Sequence, residues 1–364
     1  MDIELLRQLV TTAGVPGREH RVRELIRSRC EALFDDIRVD TLGSLHAVLR
    51  PTRPANTNPG DRQTADRNQP PRVMIAAHMD QIGFLVRTID DSGFLRLNPV
   101  GGFDTRNLFA RVVTVCPDVR DPSRDMTGVM NAAGKPVHIA SAEERKQVPE
   151  ATQFMVDLGM TADEVKSRVK VGDMVTINAP LYEVGQTLVS QCMDNRIACF
   201  IALEAARKLR AGSRGHACEV HCVFTVQEEV GLRGAGPAAF AVEPDLGIAL
   251  DTTLCCDTPG VPSEDRVTRQ GEGVGLNVMD AAAIADHDAL EDIEALAAER
   301  GIPAQRTILH RGGTDAGTMQ RAGRGFRVVT LLTPTRYIHT VAEMVHRSDV
   351  LAARDLLTAH LEEL

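Results

Sequence analysis

Short apolar runs that end in polar residues recur along the chain and indicate strands of a buried sheet. Apolar runs of roughly four to eight residues between turn signals are typical of buried strands, whereas apolar positions about three or four apart are typical of helices. Strand-like runs cover 73–77, 219–226, 246–250 and 326–332. Helical spacing covers 2–10, 19–33, 194–210, 286–300 and 348–364. Because strands and helices alternate, we predict an α/β fold with a mainly parallel, mixed sheet flanked by helices.

The middle of the chain has a different pattern. Residues 87–180 contain short strand-like pieces separated by many glycines and prolines. Two capping-box signals predict short helices within this segment: Ser141 with Glu144, and Thr161 with Glu164. We therefore predict a β-rich domain at 87–180 inserted into a discontinuous α/β domain formed by 1–86 and 181–364.

Potential metal ligands stand where the predicted strands end. They are His78, Glu228, Glu229, Asp251 and His339. Asp194 lies at the start of a predicted helix, where a carboxylate also meets the positive end of the helix dipole. In open α/β sheets the carboxyl ends of the strands and the loops after them form the crevice that binds ligands.

Each of these residues also has an ordinary structural interpretation. A histidine at a strand end is often simply hydrogen-bonded, and an acid at a helix start is often a cap. However, several carboxylates buried near one another without a cation would be very costly. We therefore interpret the group as a metal centre.

A two-metal hydrolytic centre needs a bridging carboxylate, imidazole and carboxylate ligands at each metal, and an unligated base beside the nucleophilic water. A consistent assignment has Asp194 bridging two divalent metals, which lower the pKa of the bridging water towards ~7. One metal is completed by His78 and Asp251, and the other by Glu229 and His339. Glu228 then remains free as the general base. Zn²⁺, Co²⁺ and Mn²⁺ all accept this mixture of oxygen and imidazole ligands.

Asp80 stands two residues beyond His78 and has two possible roles. Its carboxylate could accept a hydrogen bond from the second imidazole nitrogen and so fix the tautomer of the histidine. Its alternative role is that of a loop cap. The loop at 312–317 offers backbone freedom for a close approach to substrate, and Asp315 could cap the helix after it.

Composition narrows the possible partners and location. The chain has 364 residues, of which 43% are hydrophobic, so it is long enough for two domains with real cores. Its net charge is −9, without a basic block to offset it, which argues against nucleic acid or an anionic membrane as a partner. Neither a membrane-spanning apolar stretch nor a basic-then-apolar signal pattern is present, and we predict a cytoplasmic protein.

The eight cysteines are predicted to be reduced thiols, most of them in the core. The pairs Cys218/Cys222 and Cys255/Cys256 leave open a thiolate zinc site. The sequence lacks the paired C-x-x-C motifs that such a site usually has. The carboxylate and imidazole centre is therefore the favoured prediction.

Several motifs, in matching order, resemble the tetrahedral aminopeptidases. These cytosolic dinuclear metallo-exopeptidases include the glutamyl aminopeptidases and proteins once labelled cobalt-activated endoglucanases. The resemblance covers nearly the whole chain. It is carried by A-H-M-D-Q-I-G (77–83), G-F-D-T-R (102–106), M-D-N-R (193–196), V-Q-E-E-V-G-L-R-G-A (226–235), D-T-P-G (257–260), V-M-D-A (278–281), G-G-T-D-A-G (312–317) and P-T-R-Y-I-H (334–339).

The resemblance implies roles for these residues and an assembly. It implies a phosphorylase/peptidase-like catalytic domain whose metal ligands are His78, Asp194, Glu229, Asp251 and His339. Asp194 would bridge the metals, Glu228 would be the base, and Asp80 would orient His78. The inserted domain would mediate dimer contacts, and the dimers would form a hollow tetrahedral dodecamer that admits peptides.

The chain departs from the family pattern in the polar segment 51–69, which looks longer than usual and is predicted to be a surface loop. Such a loop is a tolerated insertion or influences assembly or access to the crevice. It leaves every matched motif intact.

Three functions follow as hypotheses. The first is an aminopeptidase that removes N-terminal residues from peptides. The second is a deacylase or other amidase that uses the same metal centre, and the third is a catalytically weak, self-assembling shell protein. An endoglucanase would need a metal-free carboxylate pair about a glycosidic bond, whereas here the carboxylates serve better as ligands.

Overall fold

The computed structural model describes residues 1–54 and 70–364. Its α-helices are α1 Ile3–Thr11, α2 His20–Cys30, α3 Ala162–Arg168, α4 Met193–Ala211, α5 Ala235–Val242, α6 His287–Glu299, α7 Ala316–Arg321 and α8 Arg347–Glu363. Its strands are β1 Asp36–Val39, β2 Leu45–Leu49, β3 Arg72–His78, β4 Gly83–Ile89, β5 Leu95–Val100, β6 Arg111–Cys116, β7 Met126–Ala132, β8 Phe154–Asp157, β9 Met174–Ile177, β10 Tyr182–Val184, β11 Thr187–Ser190, β12 Glu219–Thr225, β13 Leu246–Leu254, β14 Val274–Met279, β15 Ala304–Ile308, β16 Val328–Arg336 and β17 Glu343–His346. None of these helices combines the length and the apolar character that crossing a bilayer requires.

The large sheet has a parallel centre and antiparallel margins. Within the described residues its strand order is β1-β2-β12-β3-β13-β16-β17-β11-β10, with β14 and β15 branching from β16. The four central strands, β12, β3, β13 and β16, run parallel to one another. Their carboxyl ends therefore meet at one edge of the sheet. This arrangement confirms the predicted α/β class with a mainly parallel, mixed sheet.

Helices cover both faces of the sheet, which explains why its central strands are apolar throughout. Side chains alternate between the faces of a strand. In β3, Val73, Ile75 and Ala77 enter the core beneath α1, α2, α4, α6 and α8. Met74 and Ala76 enter the second core beneath α5 and α7. A strand buried on both faces has no solvent-facing positions, so its sequence is a continuous apolar run.

The predicted β-rich insertion is a closed antiparallel barrel. Its strands follow the order β4-β5-β8-β7-β6-β9 and lie between Gly83 and Ile177. The barrel has its own core, which includes Phe84, Leu97 and Phe154. A separate core is the mark of a separate folding unit. The domain boundaries at 86/87 and 180/181 stay predictions.

Most predicted elements are present, and three differ in extent, among them the strand predicted at 246–250, which continues to Leu254. The helices predicted at 194–210, 286–300 and 348–364 are α4, α6 and α8, each within one residue of the predicted ends. The second helix ends at Cys30 and not at Leu33, because the amides of Leu33 and Phe34 both donate to the carbonyl of Cys30 and close a turn. The strand predicted at 326–332 begins at Val328 and continues to Arg336.

Both capping boxes form. The amide of Ser141 donates to the carboxylate of Glu144 and its hydroxyl accepts from the amide of Glu144, ahead of a single 3₁₀ turn. Thr161 and Glu164 make the corresponding pair of contacts at the start of α3. The polar loop predicted at 51–69 falls mainly on residues 55–69, which lie outside the described residues.

Arg196, in the first turns of α4, joins three parts of the fold from a fully buried position. Its guanidinium donates to the main-chain carbonyls of Met79, Thr12 and Gly14 at 2.7, 2.8 and 3.3 Å. It also donates to the side-chain oxygen of Gln81 at 3.2 Å. The cation therefore satisfies buried carbonyls that would otherwise lack a donor, and it ties the N-terminal segment to the end of β3.

Replacing Arg196 with alanine is expected to lower the free energy of unfolding by about 3–5 kcal/mol, because several buried acceptors lose their donor at once. The matched control is Arg324→Ala, at an exposed arginine, for which we expect a change within about 0.5 kcal/mol. Urea unfolding followed by circular dichroism measures both variants, since the chain contains no tryptophan. Equal stability of the two variants would contradict the structural role of Arg196.

Candidate metal centre

The predicted ligands meet at the carboxyl edge of the large sheet. His78 is the last residue of β3, and Asp251 lies in the adjacent strand β13. Asp194 stands at the start of α4, Glu229 follows β12, and His339 follows β16. Because β3, β12, β13 and β16 are neighbouring parallel strands, residues far apart in sequence reach one crevice.

Asp194 stands between two groups of potential ligands. One group joins it to His78 and Asp251, and the other joins it to Glu229 and His339, with the ligand atoms in each group within 4.8 Å of one another. The Nε2 atom of His78 is 3.2 Å from Oδ1 of Asp194, and that of His339 is 3.3 Å from Oδ2. Each oxygen of the aspartate thus faces a different histidine, as a bridging carboxylate requires.

The charges of the site suit divalent cations. Burial, followed by repulsion from Asp194 and Glu228, raises the pKa of Glu229 well above its ordinary value. Burial also raises the pKa of Asp251, and Asp194 adds to the rise. The Oε1 atom of Glu229 is buried and has no hydrogen-bond partner among the described residues. Crowded, desolvated carboxylates with spare acceptor atoms are the environment that a bound cation stabilises.

The pKa values of the two histidines are also raised, but by the neighbouring carboxylates and not by burial. Although burial lowers the pKa of His78, Glu228, Asp194 and Asp80 together raise it well above its ordinary value. The pKa of His339 is raised by Asp194 against the effect of burial. Both imidazoles therefore lie in a strongly negative environment, and a carboxylate and imidazole donor set of this kind accepts Zn²⁺, Co²⁺ or Mn²⁺.

A left-handed turn brings two successive acids to the site. Neighbouring side chains on a strand point to opposite faces, so adjacent acids rarely reach one crevice. Gln227, two residues beyond the end of β12, has a φ of 57°, which is uncommon for a residue other than glycine. Beyond this turn Glu229 joins the ligand group, and Oε2 of Glu228 lies 3.7 Å from Nε2 of His78. Burial raises the pKa of Glu228 well above its ordinary value.

Asp80 contacts the site differently from the predicted arrangement. The Nδ1 atom of His78 lies 3.1 Å from the main-chain oxygen of Asp80 and 3.5 Å from its carboxylate, so the backbone is the hydrogen-bond partner. The two carboxylate oxygens accept hydrogen bonds from the amides of Glu228 and Glu229, both at 3.0 Å. Asp80 therefore holds the acid pair in place with its side chain and contacts His78 with its backbone.

Glu343 is a residue of the site that the sequence analysis missed. It is fully buried in β17 and accepts hydrogen bonds from the amides of Asp194 at 2.9 Å and His339 at 2.8 Å. One carboxylate thus fixes the spacing of two ligand-bearing segments. The signal available in the sequence was an acid inside the apolar run 341–345, where only a paired carboxylate is tolerated.

A cavity of about 450 Å³ opens onto the ligands. Its other walls are mostly apolar and include Leu232, Leu254, Leu309, Leu332 and Ile338. The predicted glycine-rich loop contributes Gly312, Gly313 and Thr314. A cavity of this size and character, with polar groups at one end, suits a small organic substrate.

The prediction that the side chain of Asp315 caps the following helix is wrong. Asp315 occupies the N-cap position of α7, but its side chain makes no capping hydrogen bond. The carboxylate accepts instead from the hydroxyl of Thr225, at the end of β12. This contact fastens the 312–317 loop to the sheet edge.

The thiolate alternative is not supported by the geometry. The groups of described residues that could hold a metal contain no cysteine. Seven of the eight cysteines are buried and Cys256 is half-buried. Burial raises the pKa of Cys218 and Cys222 to about 12, which opposes formation of the thiolates that zinc would need.

Comparison with known proteins shows the family to which the chain belongs. Residues 62–356 match the family model described as M42 glutamyl aminopeptidase. A putative aminopeptidase of Acetivibrio thermocellus is 32% identical over 355 residues, which cover 97% of this chain and 96% of the relative.

Two solved structures are similar over the whole chain. A TET aminopeptidase from a marine sediment archaeon of the Thaumarchaeota is 30% identical, with a TM-score of 0.89 and coverage of 100% of this chain and 96% of that one. The Pyrococcus horikoshii TET1 peptidase, which can assemble into a tetrahedron or a large octahedral shell, is 28% identical, with a TM-score of 0.83 and coverage of 100% and 99%. The parallel sheet gathers histidines and carboxylates at one edge, a barrel is inserted after β3, and the matches cover nearly the full sequence. This chain is therefore a metallo-aminopeptidase of the M42 glutamyl aminopeptidase family.

Proposed function

We propose that this protein removes N-terminal residues from peptides with two divalent metal ions and Glu228 as the general base. The observation that carries the proposal is the position of Asp194 between two ligand groups, each with one histidine and one further carboxylate. Asp194 would contact both ions. His78 and Asp251 would hold one of them, and Glu229 and His339 the other. Bound ions would supply Lewis-acid chemistry, polarising the scissile carbonyl and activating water.

Glu228 is proposed to move the proton. It belongs to neither ligand group, yet it lines the same cavity and lies beside His78. A carboxylate of raised pKa can accept a proton from the attacking water and return it to the leaving amine. Asp80 acts as a positioning residue, because it holds the amides of Glu228 and Glu229.

The apolar cavity beside the ligands is proposed to hold the N-terminal side chain of the peptide. Leu232, Leu254, Leu309 and Ile338 exclude water from the reacting bond, which strengthens the interactions of the charged groups. A deacylase would use the same groups but would need to accept an N-acylated substrate. The free amino terminus is therefore the feature that separates these two functions.

Oligomerisation through the barrel is a further part of the proposal. Phe109, Val112 and Val129 are exposed on the barrel by 44%, 48% and 51%. Exposed apolar side chains on a small domain favour burial against another subunit. Together with the assembly stated for the Pyrococcus horikoshii peptidase, this surface supports dimers that associate into a tetrahedral dodecamer.

Free peptides are expected to be hydrolysed at least ~100-fold faster than the same peptides with an acetylated N-terminus, since an aminopeptidase recognises the free amine. Chromatography of the products from matched free and N-acetylated tetrapeptides measures the ratio. The control is the chain treated with a chelator, which should turn over neither peptide. Preferential hydrolysis of the acetylated peptide would favour the deacylase.

Substitutions of two acidic residues, Asp194 and Glu228, are expected to separate metal binding from proton transfer. Asp194→Ala removes the shared ligand and should release both metals. Glu228→Gln keeps the shape of the side chain but cannot accept a proton, so the metal content should persist while kcat falls about 10²–10⁴-fold. Elemental analysis and steady-state kinetics measure the two effects.

Glu229→Gln is the matched control for Glu228→Gln, because it makes the same change at the adjacent acid. It should lower metal occupancy, and excess metal should partly restore its activity. Full metal content in Asp194→Ala would reject the bridging role. A fully active Glu228→Gln enzyme would reject the general base.

Native mass spectrometry at micromolar concentration is expected to report a dodecamer. Val129→Glu places a charge on the exposed barrel surface and should shift the population towards smaller species, because the charge would be buried on assembly. Val171→Glu, at another exposed valine, is the comparison variant. A monomeric wild-type chain would reject the assembly while leaving the peptidase proposal intact.

A further inference from the structure

A second cavity, of about 630 Å³, lies between the N-terminal helices and the barrel. Its walls include residues 10–13 at the end of α1 and just beyond it, the first turn of α2, and residues 176–179 at the end of β9. None of its lining residues borders the cavity at the metal centre. It is therefore a separate space and of a size that holds a small organic molecule.

The cavity is positively charged, although the chain carries a net charge of −9. Arg21, Arg23 and Arg120 line it, together with His20 and opposed by two acids. Burial lowers the pKa of His20, and the positive charges of Arg23, Arg120 and Arg18 lower it further. The imidazole ring of His20 therefore lies near several positive charges. Cations gathered in a concave, partly desolvated space attract an anion more strongly than cations spread over a surface.

Three buried side-chain nitrogens at the cavity lack a hydrogen-bond partner within the described part of the chain. They are Nδ1 of His20, Nε of Arg21 and Nε of Arg23. The side chain of Arg120 is exposed at the cavity, and the described residues offer it neither a hydrogen bond nor an ion pair. Buried donors in folded proteins are normally satisfied. The unsatisfied Nε donors of Arg21 and Arg23, beside the exposed guanidinium of Arg120, indicate a missing acceptor at this cavity.

The three arginines that line the cavity differ in their contacts. The guanidinium of Arg21 pairs with Asp125 at 2.7 Å and holds α2 to the barrel. Arg23 contacts the main-chain oxygen of Gly43 at 3.2 Å and lies 3.7 Å from Glu24. The side chain of Arg120 makes no such contact with the described residues, so its charge is available to a ligand.

We propose that this cavity is a binding site for a small anionic molecule, recognised through a phosphate or carboxylate group by Arg120, Arg23 and His20. Guanidinium groups match the planar, paired acceptors of such oxyanions. The N-terminal turn of α2, which includes His20 and Arg23, adds the positive end of a helix dipole. Val10 and Ile177 give the remaining walls an apolar character that suits a carbon skeleton.

Isothermal titration calorimetry of the metal-loaded chain with inorganic phosphate, at constant ionic strength, tests the site. We expect saturable binding that Arg120→Ala weakens at least about 10-fold. Arg324→Ala removes a charge at an exposed position elsewhere and should leave the affinity unchanged. His20→Gln provides a second variant, since Nδ1 of His20 has no hydrogen-bond partner among the described residues and the substitution breaks no such contact.

Phosphate can also bind at the metal centre, and the variants distinguish the two places. Binding that persists in both Arg120→Ala and His20→Gln but disappears in Asp194→Ala would locate phosphate at the metals and overturn the proposal. A dissociation constant weaker than about 10 mM in the wild-type chain would overturn it as well. Binding lost in Arg120→Ala or His20→Gln and retained in Asp194→Ala and Arg324→Ala would support it.

Discussion

Mutual repulsion among buried carboxylates is the constraint on which the rest of this structure depends. Asp194, Glu228, Glu229 and Asp251 share one crevice. Glu229 is half-buried and the other three are buried. Such a group is stable only when cations neutralise it or when its members become protonated. The geometry favours cations, because the two oxygens of Asp194 face two separate ligand groups. The fold must therefore hold acids together at a position where they repel one another.

Other carboxylates hold these acids in place by accepting hydrogen bonds from backbone amides. Asp80 binds the amides of the adjacent acids Glu228 and Glu229, and Glu343 binds the amides of Asp194 and His339. Charge-assisted hydrogen bonds to amides orient loops without occupying the ligand atoms. The atoms that could bind metal thus stay free of these hydrogen bonds, while buried neighbours fix the segments that carry them.

The barrel and the sheet are separate folding units with different features at their surfaces. Each has its own apolar core, so either part can change at its surface without disturbing the other. The sheet edge carries the chemistry and the barrel carries exposed apolar side chains. The positively charged second cavity lies where the N-terminal helices meet the barrel, a position at which a ligand would contact both parts. Binding sites occur preferentially at such junctions between domains.

The sequence by itself determined the fold class, most of the elements and the residues that are candidates for metal ligands. Periodicity marks the buried strands, and candidate ligands such as His78 stand at their ends, where local pattern suffices to find them. Tertiary structure alone decided which atoms meet. The hydrogen bonds of Glu343 to Asp194, and of Asp315 to Thr225, join residues far apart in the chain, and strand register sets their spacing. A local pattern contains no information about such contacts, because they depend on how separate elements pack.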